Sequence, residues 1–437
     1  MLEVVNCCTM NYPRVLVISN NSFSNTDSNG RTLGNLFAGW PKERLAQFCI
    51  STDGPNFDLC DNYYCLTDRE VLDASLHLRK AEGRKLIPEN HTRTTGSRGE
   101  GKKTLLMMLA RNVIWGRNRW RSKGFEEWIS DFKPEAILLF FSDSAFMLHI
   151  GTTLSKELGV PLMMYNTEGY FFFKSNYCRT KTKWDWLLFP IYQGLYRKQV
   201  RKTMKMVVFS MYLNQLLQAD YDREFGGPSA VLYTSSALQF EEHPFNSEHP
   251  AFSYIGNLTF NRPKALMEVA DVLQSINKSF VLNIFGKPLN KETEEELRSH
   301  PGISFKGFIP YEEVLRVIHN SDVLFHAETS DERWEESLRY GFSTKIADSV
   351  SSGTCFVLYA PAHIACSQYI QSTKSGWFAD TKDGLRRCLE EILYDEGKRK
   401  AVLENAKRTA ETNHSQSKNS QVFQQIICDN VNKKSNA

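Results

Sequence analysis

From residue 251 to about 410 the chain alternates short runs of continuous apolar residues with amphipathic stretches, and few folds accept that alternation. FSYI (Phe252 to Ile255), FVLNIF (Phe280 to Phe285), ISF leading into Gly307, DVLFHA ending at Ala327 and TCFVLY ending at Tyr359 read as strands. Between them, Pro263 to Ile276, Lys291 to Arg298 and Pro310 to Asn320 read as helices, with Pro310 at a favoured starting position. Strands that are apolar at every position are buried on both faces, so the pattern predicts a parallel sheet covered by helices on both sides. Such sheets bind ligands outside the carboxyl ends of their strands. Three loops at that end hold the polar residues: Gly256 to Lys264, Gly286 to Lys287, and Glu328 to Lys345.

The N-terminal half repeats the logic less regularly. RVLVIS (Arg14 to Ser19) is a buried strand of the kind that opens a doubly wound domain, followed by the polar loop NNSFSNTDSNG ending at Gly30 and a helix to about Trp40. RLAQFCI and YYCL suggest strands, and a long helical stretch runs from Lys103 to about Phe132. AILLFF, VPLMMYN, MVVFSM and AVLY read as strands, with Ala145 to Leu158 as a helix. Residues 1–12 read as a poorly structured leader and 82–103 as a polar, basic, mobile loop. A chain of 437 residues exceeds one ordinary core. The expected division is 1–240 for one domain and 251–410 for the second, with the proline-flanked HPFNSEHP (His243 to Pro250) between them and a tail over 411–437. Two similar domains imply a cleft in which closure expels water.

Composition mainly excludes. Hydrophobic residues at 41%, charged residues at 24% and a net charge of +3 are ordinary for a globular protein. No apolar run is long enough to cross a bilayer, and no basic segment followed by a hydrophobic core opens the chain. The ten cysteines contain no CxxC pair, which favours reduced thiols in cores and loops over a metal or disulfide framework.

The stretch FSTKIADSVSSGTCFVLYAP (Phe342 to Pro361) carries the most chemistry. Ser343 is a suitable N-cap and Gly353 a suitable stop. At helical spacing Lys345, Asp348, Ser349 and Ser352 share one face, offering a cation, a carboxylate and hydroxyls, while Ile346, Ala347 and Val350 share the other. This segment and YIGNLTFNRPKAL (Tyr254 to Leu266) resemble the donor-binding helix and the opening strand and loop of the large group-1 (family 4) glycosyltransferases. The strand at Arg14 and the loop at Gly30 match where that family places its acceptor-side phosphate loop. The resemblance implies an α/β chain of two Rossmann-like domains facing across a cleft, the GT-B fold. It implies transfer of a sugar, with retention, from a nucleotide-diphosphate sugar to a saccharide or lipid-linked saccharide hydroxyl in polysaccharide or glycolipid assembly, with no metal or cofactor.

That chemistry suits the residues. A departing nucleoside diphosphate gains negative charge, which fixed cations and backbone N–H groups stabilise. By resemblance Arg262 binds the diphosphate, assisted by Lys264 or Lys287, and Asp348 accepts the ribose hydroxyls beside Asn257, Lys345 and Ser349. The chain departs from the family at one place. Many members have two glutamates eight positions apart, the second where Asp348 stands; the first position here is Tyr340. Glu328 and Glu336 share that spacing, but no glycine turn follows Glu336, so the match is taken as chance. Glu328, at the exit of DVLFHA, is the acid placed to reach the donor sugar.

On the acceptor side the candidates are Asn29, Gly30, Arg31, Asp143 and Glu168, the last two by the strand-end rule, with His149 as a helix residue in a core or lining. Tyr170 to Lys205 interleaves nine Lys or Arg residues, Arg179 among them, with aromatic residues. Basic charge with aromatic rings suits an anionic membrane surface, and a domain helix with core aromatics produces the same composition. The expected location is cytoplasmic, either soluble or peripheral on the inner membrane face, with no nucleic-acid partner since no recognition module is present. A nicotinamide or flavin oxidoreductase requires GxGxxG after an early strand, and the loop after RVLVIS supplies only Gly30 and Gly34. A non-catalytic sugar-nucleotide-binding protein of the same fold is the alternative that Tyr340 raises.

Overall fold

The computed structural model describes residues 12–24, 28–50, 54–88, 104–116, 118–140, 142–178 and 180–435. The expected leader, most of the basic loop (89–103) and Arg179 lie outside them.

The chain forms two compact units, 1–213 with 218–232 and 419–437, and 214–217 with 233–418. In the first unit β1 (Val15–Ser19), α1 (Ser28–Leu36), β2 (Leu45–Cys49), β3 (Tyr63–Cys65), α2 (Asp68–Leu76), β4 (Arg84–Leu86), α3 (Leu105–Gly116), α4 (Lys123–Phe132), β5 (Ala136–Phe140), α5 (Ala145–Leu158), β6 (Leu162–Asn166), α6 (Asp185–Met204), β7 (Val207–Tyr212), α7 (Gln215–Phe225) and β8 (Ser229–Val231) follow in order. They build an eight-stranded sheet of order β4-β3-β2-β1-β5-β6-β7-β8. Every pairing is parallel except β3 with β4. β1, β2, β5 and β6 are buried at every position, as continuous apolar runs require.

The second unit holds β9 (Phe252–Ile255), α8 (Arg262–Ile276), β10 (Leu282–Phe285), α9 (Lys291–Ser299), β11 (Ile303–Gly307), α10 (Tyr311–His319), β12 (Val323–Ala327), α11 (Glu335–Leu338), α12 (Thr344–Ser351), β13 (Cys355–Tyr359), α13 (Ala365–Thr373), β14 (Trp377–Ala379), α14 (Lys382–Tyr394) and α15 (Glu396–Thr409). Its six-stranded sheet, order β11-β10-β9-β12-β13-β14, is parallel throughout. The strands and helices expected from 251 onward are all present, with Pro310 as the N-cap of α10 instead of its first helical residue.

Three expectations differ from the structure. The stretch from Lys103 to Phe132 is two helices: Asn118 adopts a left-handed backbone (φ 52°), and the Ser122 side chain accepts from Phe125 N to start α4 afresh. The unit boundary falls at Leu232 and Tyr233, ahead of residue 240. The His243 to Pro250 segment is therefore part of the second unit, held by Phe245 under the Arg399 guanidinium (4.5 Å) and by Asn246 N donating to Asp322. The expected tail is ordered: α16 (Gln416–Ser435) buries Phe423 and Ile427 in the core of the first unit, with Phe423 edge-on to Phe37 at 4.8 Å.

Candidate functional site

In each sheet the connections run one way from one strand and the other way from its neighbour, and the crevice opens at that switch point. In the second unit it lies between β9 and β12. The chain leaves β9 through Gly256 to Asn261 and enters α8 at Arg262; it leaves β12 at Glu328. Arg262 and Glu328 meet across the switch point. Nε and Nη2 of Arg262 donate to Oε2 and Oε1 of Glu328 at 2.8 and 2.6 Å, and Nη1 donates to the carbonyl of Asn257 at 3.2 Å. His326 Nε2, 3.0 Å from Oε1, carries the hydrogen, since the ionised carboxylate only accepts. All three residues are buried. Burial by itself would raise the Glu328 pKa, but the Arg262 charge and the hydrogen bond from His326 outweigh it and bring it down to about 2.

The loop that delivers Arg262 is strained. Phe260 and Asn261 both have left-handed backbones (φ 57° and 56°), which for a bulky residue such as Phe costs on the order of 1–3 kcal/mol. The Phe260 ring lies 5.5 Å from the Arg262 guanidinium and 5.4 Å from the ring of Trp334. Sequence reasoning placed Arg262 and Glu328 at this end of the sheet and missed their pairing, together with His326. The available signal was spacing: His326 and Glu328 are two apart on one strand exit and so project to one side.

The other expected donor-side residues surround the same sheet end. Asn257, Lys264 and Lys287 are exposed, in the β9–α8 connection, the first turn of α8 and the β10–α9 loop. In α12 the Ser343 side chain accepts from Lys345 N, and Gly353 (φ 81°) lies beyond the helix end, as the sequence predicts. The polar face is not solvated, however. Asp348 and Ser349 are buried, Lys345 is half-buried with Nζ 3.9 Å from Asp348 Oδ2, and Asp348 Oδ1 accepts from Ser236 Oγ at 2.9 Å. Ser236 is 112 residues away, and nothing in the local sequence announces it. Tyr340 is buried.

In the first unit the switch point lies between β1 and β5. Gly30 and the half-buried Arg31 sit in the first turns of α1, after β1, and of Asn29 only the backbone is described. A Cβ on Gly30 would stand 2.6 Å from the carbonyl of Ser22, so glycine is a steric requirement there. Asp143, buried beyond β5, accepts from the Tyr177 hydroxyl (3.4 Å), and its carbonyl accepts from Tyr192 (2.5 Å). Glu168, half-buried beyond β6, is pushed up to about 7, first by burial and then by the charge of Asp143. His149 pairs with Asn118 Oδ1 at 3.3 Å, and burial lowers its basicity. The interleaved aromatics divide: Phe171, Phe173, Phe189, Tyr192 and Tyr196 are buried, whereas Trp184 and Trp186 are exposed.

Two crevices of this kind on two parallel sheets match known proteins. Residues 235–409 match the model of glycosyl transferases group 1. HepE from Anabaena, solved in complex with UDP, superposes with a TM-score of 0.63 at 10% identity, over 95% of this chain and 100% of that one. Sucrose-phosphate synthase from Thermosynechococcus elongatus gives 0.60 at 11% identity, over 95% and 99%. The UDP-forming alpha,alpha-trehalose-phosphate synthase from Burkholderia xenovorans, in complex with glucose-6-phosphate, gives 0.56 at 9% identity, over 96% and 100%. No curated relative matches the sequence. The chain has the GT-B fold. Over residues 235–409 it is similar to the glycosyl transferases of group 1.

Proposed function

We propose that this chain transfers a sugar, with retention of configuration, from a nucleotide-diphosphate sugar to a hydroxyl of a saccharide or lipid-linked saccharide, in polysaccharide or glycolipid assembly. One observation carries the reading: cations from three separate elements converge on the carboxyl end of the second sheet, beside its switch point. Arg262 and Lys264 open α8, Lys287 follows β10 and Lys345 opens α12. The group 1 domain supports it, as does HepE, whose structures hold UDP and UDP-glucose.

The placement of these residues supports the following roles. Glu328 already balances the Arg262 charge and Asp348 balances Lys345, so Arg262 offers the diphosphate its remaining N–H groups and a fixed position, while Lys264 and Lys287 supply net positive field. As the glycosidic bond breaks, its electrons pass to the diphosphate oxygen, and these cations with the first-turn N–H groups of α8 and α12 stabilise the added charge. Asp348, held by Ser236, receives the ribose hydroxyls beside Ser349, and Asn257 contacts the donor from the β9 loop. Glu328 lies nearest the departing sugar. Gly30, Arg31, Asp143 and Glu168 form the acceptor side.

Titration calorimetry against UDP, GDP and their sugars tests the donor assignment. Lys345→Ala and Asp348→Asn should each weaken binding about tenfold, the scale of one charge-assisted contact. If both bind like the parent, the site is elsewhere. The buried Tyr340 at the family's acidic position favours a second reading, a sugar-nucleotide-binding protein without transfer. That reading predicts the same calorimetry with no sugar released or transferred under any donor and acceptor pair.

A further inference from the structure

The outward face of α6 runs along Trp184, Leu187, Ile191, Leu195, Lys198 and Lys202, residues three or four apart and therefore one stripe. Its first half is apolar and bare: Trp184 is 56% exposed, Leu187 46%, Ile191 49% and Leu195 51%. Its second half is cationic, with Lys198, Lys202 and Lys205 all exposed. The one acid in α6, Asp185, is turned inward onto Asn176 and Thr182. Helix α3 packs beside α6 and exposes Leu106, Met107 and Val113, each more than half exposed, with no acid along its length. A soluble domain seldom leaves this much contiguous apolar side chain in water without a partner.

We propose that α6 and α3 form a docking face for an anionic lipid surface. The apolar part of the stripe spans about 16 Å along the helix. That suits a helix tilted so that its N-terminal half enters the headgroup–acyl boundary, with Trp184 at the depth aromatic rings prefer and the lysines level with lipid phosphates. The lysines choose the occupant: a second copy would bring like charges against them, whereas anionic headgroups neutralise them. The face belongs to the first unit alone and stands independently of the donor-site reading.

Co-sedimentation of the full chain with phosphatidylglycerol–phosphatidylcholine vesicles, against phosphatidylcholine alone, tests this. Binding should be about tenfold tighter to the anionic vesicles and fall with added salt. Leu187→Ser with Ile191→Ser, and separately Lys198→Glu with Lys202→Glu, should each weaken it about tenfold while leaving UDP affinity unchanged. Brominated lipid should quench the parent's tryptophan fluorescence more than that of Trp184→Phe. Three results overturn the proposal: no binding to anionic vesicles, binding indifferent to these substitutions, or a concentration-dependent dimer that the same substitutions dissociate. Unchanged vesicle affinity alongside lost UDP binding in the donor-site variants would separate this face from the donor site.

Discussion

The Arg262–Glu328 pair permits a quantitative test of what holds the switch point together. The Glu328 pKa falls from an ordinary 4.5 to about 2 in the folded chain. At about 1.4 kcal/mol per factor of ten, ionised Glu328 contributes roughly 3 kcal/mol. Removing one partner of a buried pair costs about 3–5 kcal/mol by the independent route of leaving its counterpart charged and unpaired. Glu328→Leu should therefore lower the melting temperature of the second unit by roughly 6–12 °C at pH 7. Arg262→Met with Glu328→Leu should recover most of that loss, because no charge remains stranded. The pH dependence is fixed in sign. The folded pKa lies below the unfolded one, so the contribution is complete well above pH 4.5 and declines as pH falls toward 2. About 1.4 kcal/mol of it should be gone at pH 3.5, narrowing the gap between parent and Glu328→Leu. Thermal melts followed by tryptophan fluorescence at pH 7, 4.5 and 3.5 measure all of this. A double variant as unstable as the single one, or a gap that ignores pH, would refute the electrostatic account and leave packing as the cause.

Two further tests address single residues. The Glu168 pKa is raised to about 7, so folding favours its neutral form, and stability declines as pH rises from 4.5 through 7. Glu168→Gln should stabilise the chain by about 1–3 kcal/mol at pH 8 and change nothing at pH 4 in paired thermal melts; a gain that is equal at both would count against burial of the charge. Gly353 has φ 81°, and a Cβ there would stand 1.9 Å from the carbonyl of Glu241, whereas Gly159, φ 68°, faces open space. Urea unfolding should show Gly353→Ala costing about 3 kcal/mol or more and Gly159→Ala about 1 kcal/mol, and equal costs would mean the clash relaxes freely.

Periodicity carried the second unit well, because its strands are buried on both faces and its helices on one. FSYI is β9 residue for residue, and Ser343 and Gly353 bound α12 through local cap geometry that involves only neighbours. The same reasoning ran α3 and α4 together, since an amphipathic pattern continues across Asn118 while the backbone does not. It also set α16 aside as a tail, because Phe423 and Ile427 look isolated until the core around Phe37 is in place. At the site, strand-end reasoning brought Arg262, Glu328, Lys264, Lys287 and Lys345 to one end of one sheet. It did not foresee that Asp348 is buried on Ser236, nor which rings between Tyr170 and Lys205 face inward.

The chain's own order of residues determines that two parallel sheets form and which loops stand at their carboxyl ends, since those follow from local periods of two and 3.6 residues. Which charges meet there is decided only in three dimensions. Arg262 and Glu328 are 66 positions apart, and one becomes the other's partner because the crossover from β9 to β12 puts their strand ends side by side. A guanidinium that reads as a bare cation is thereby half spent on a carboxylate, and only packing could impose that.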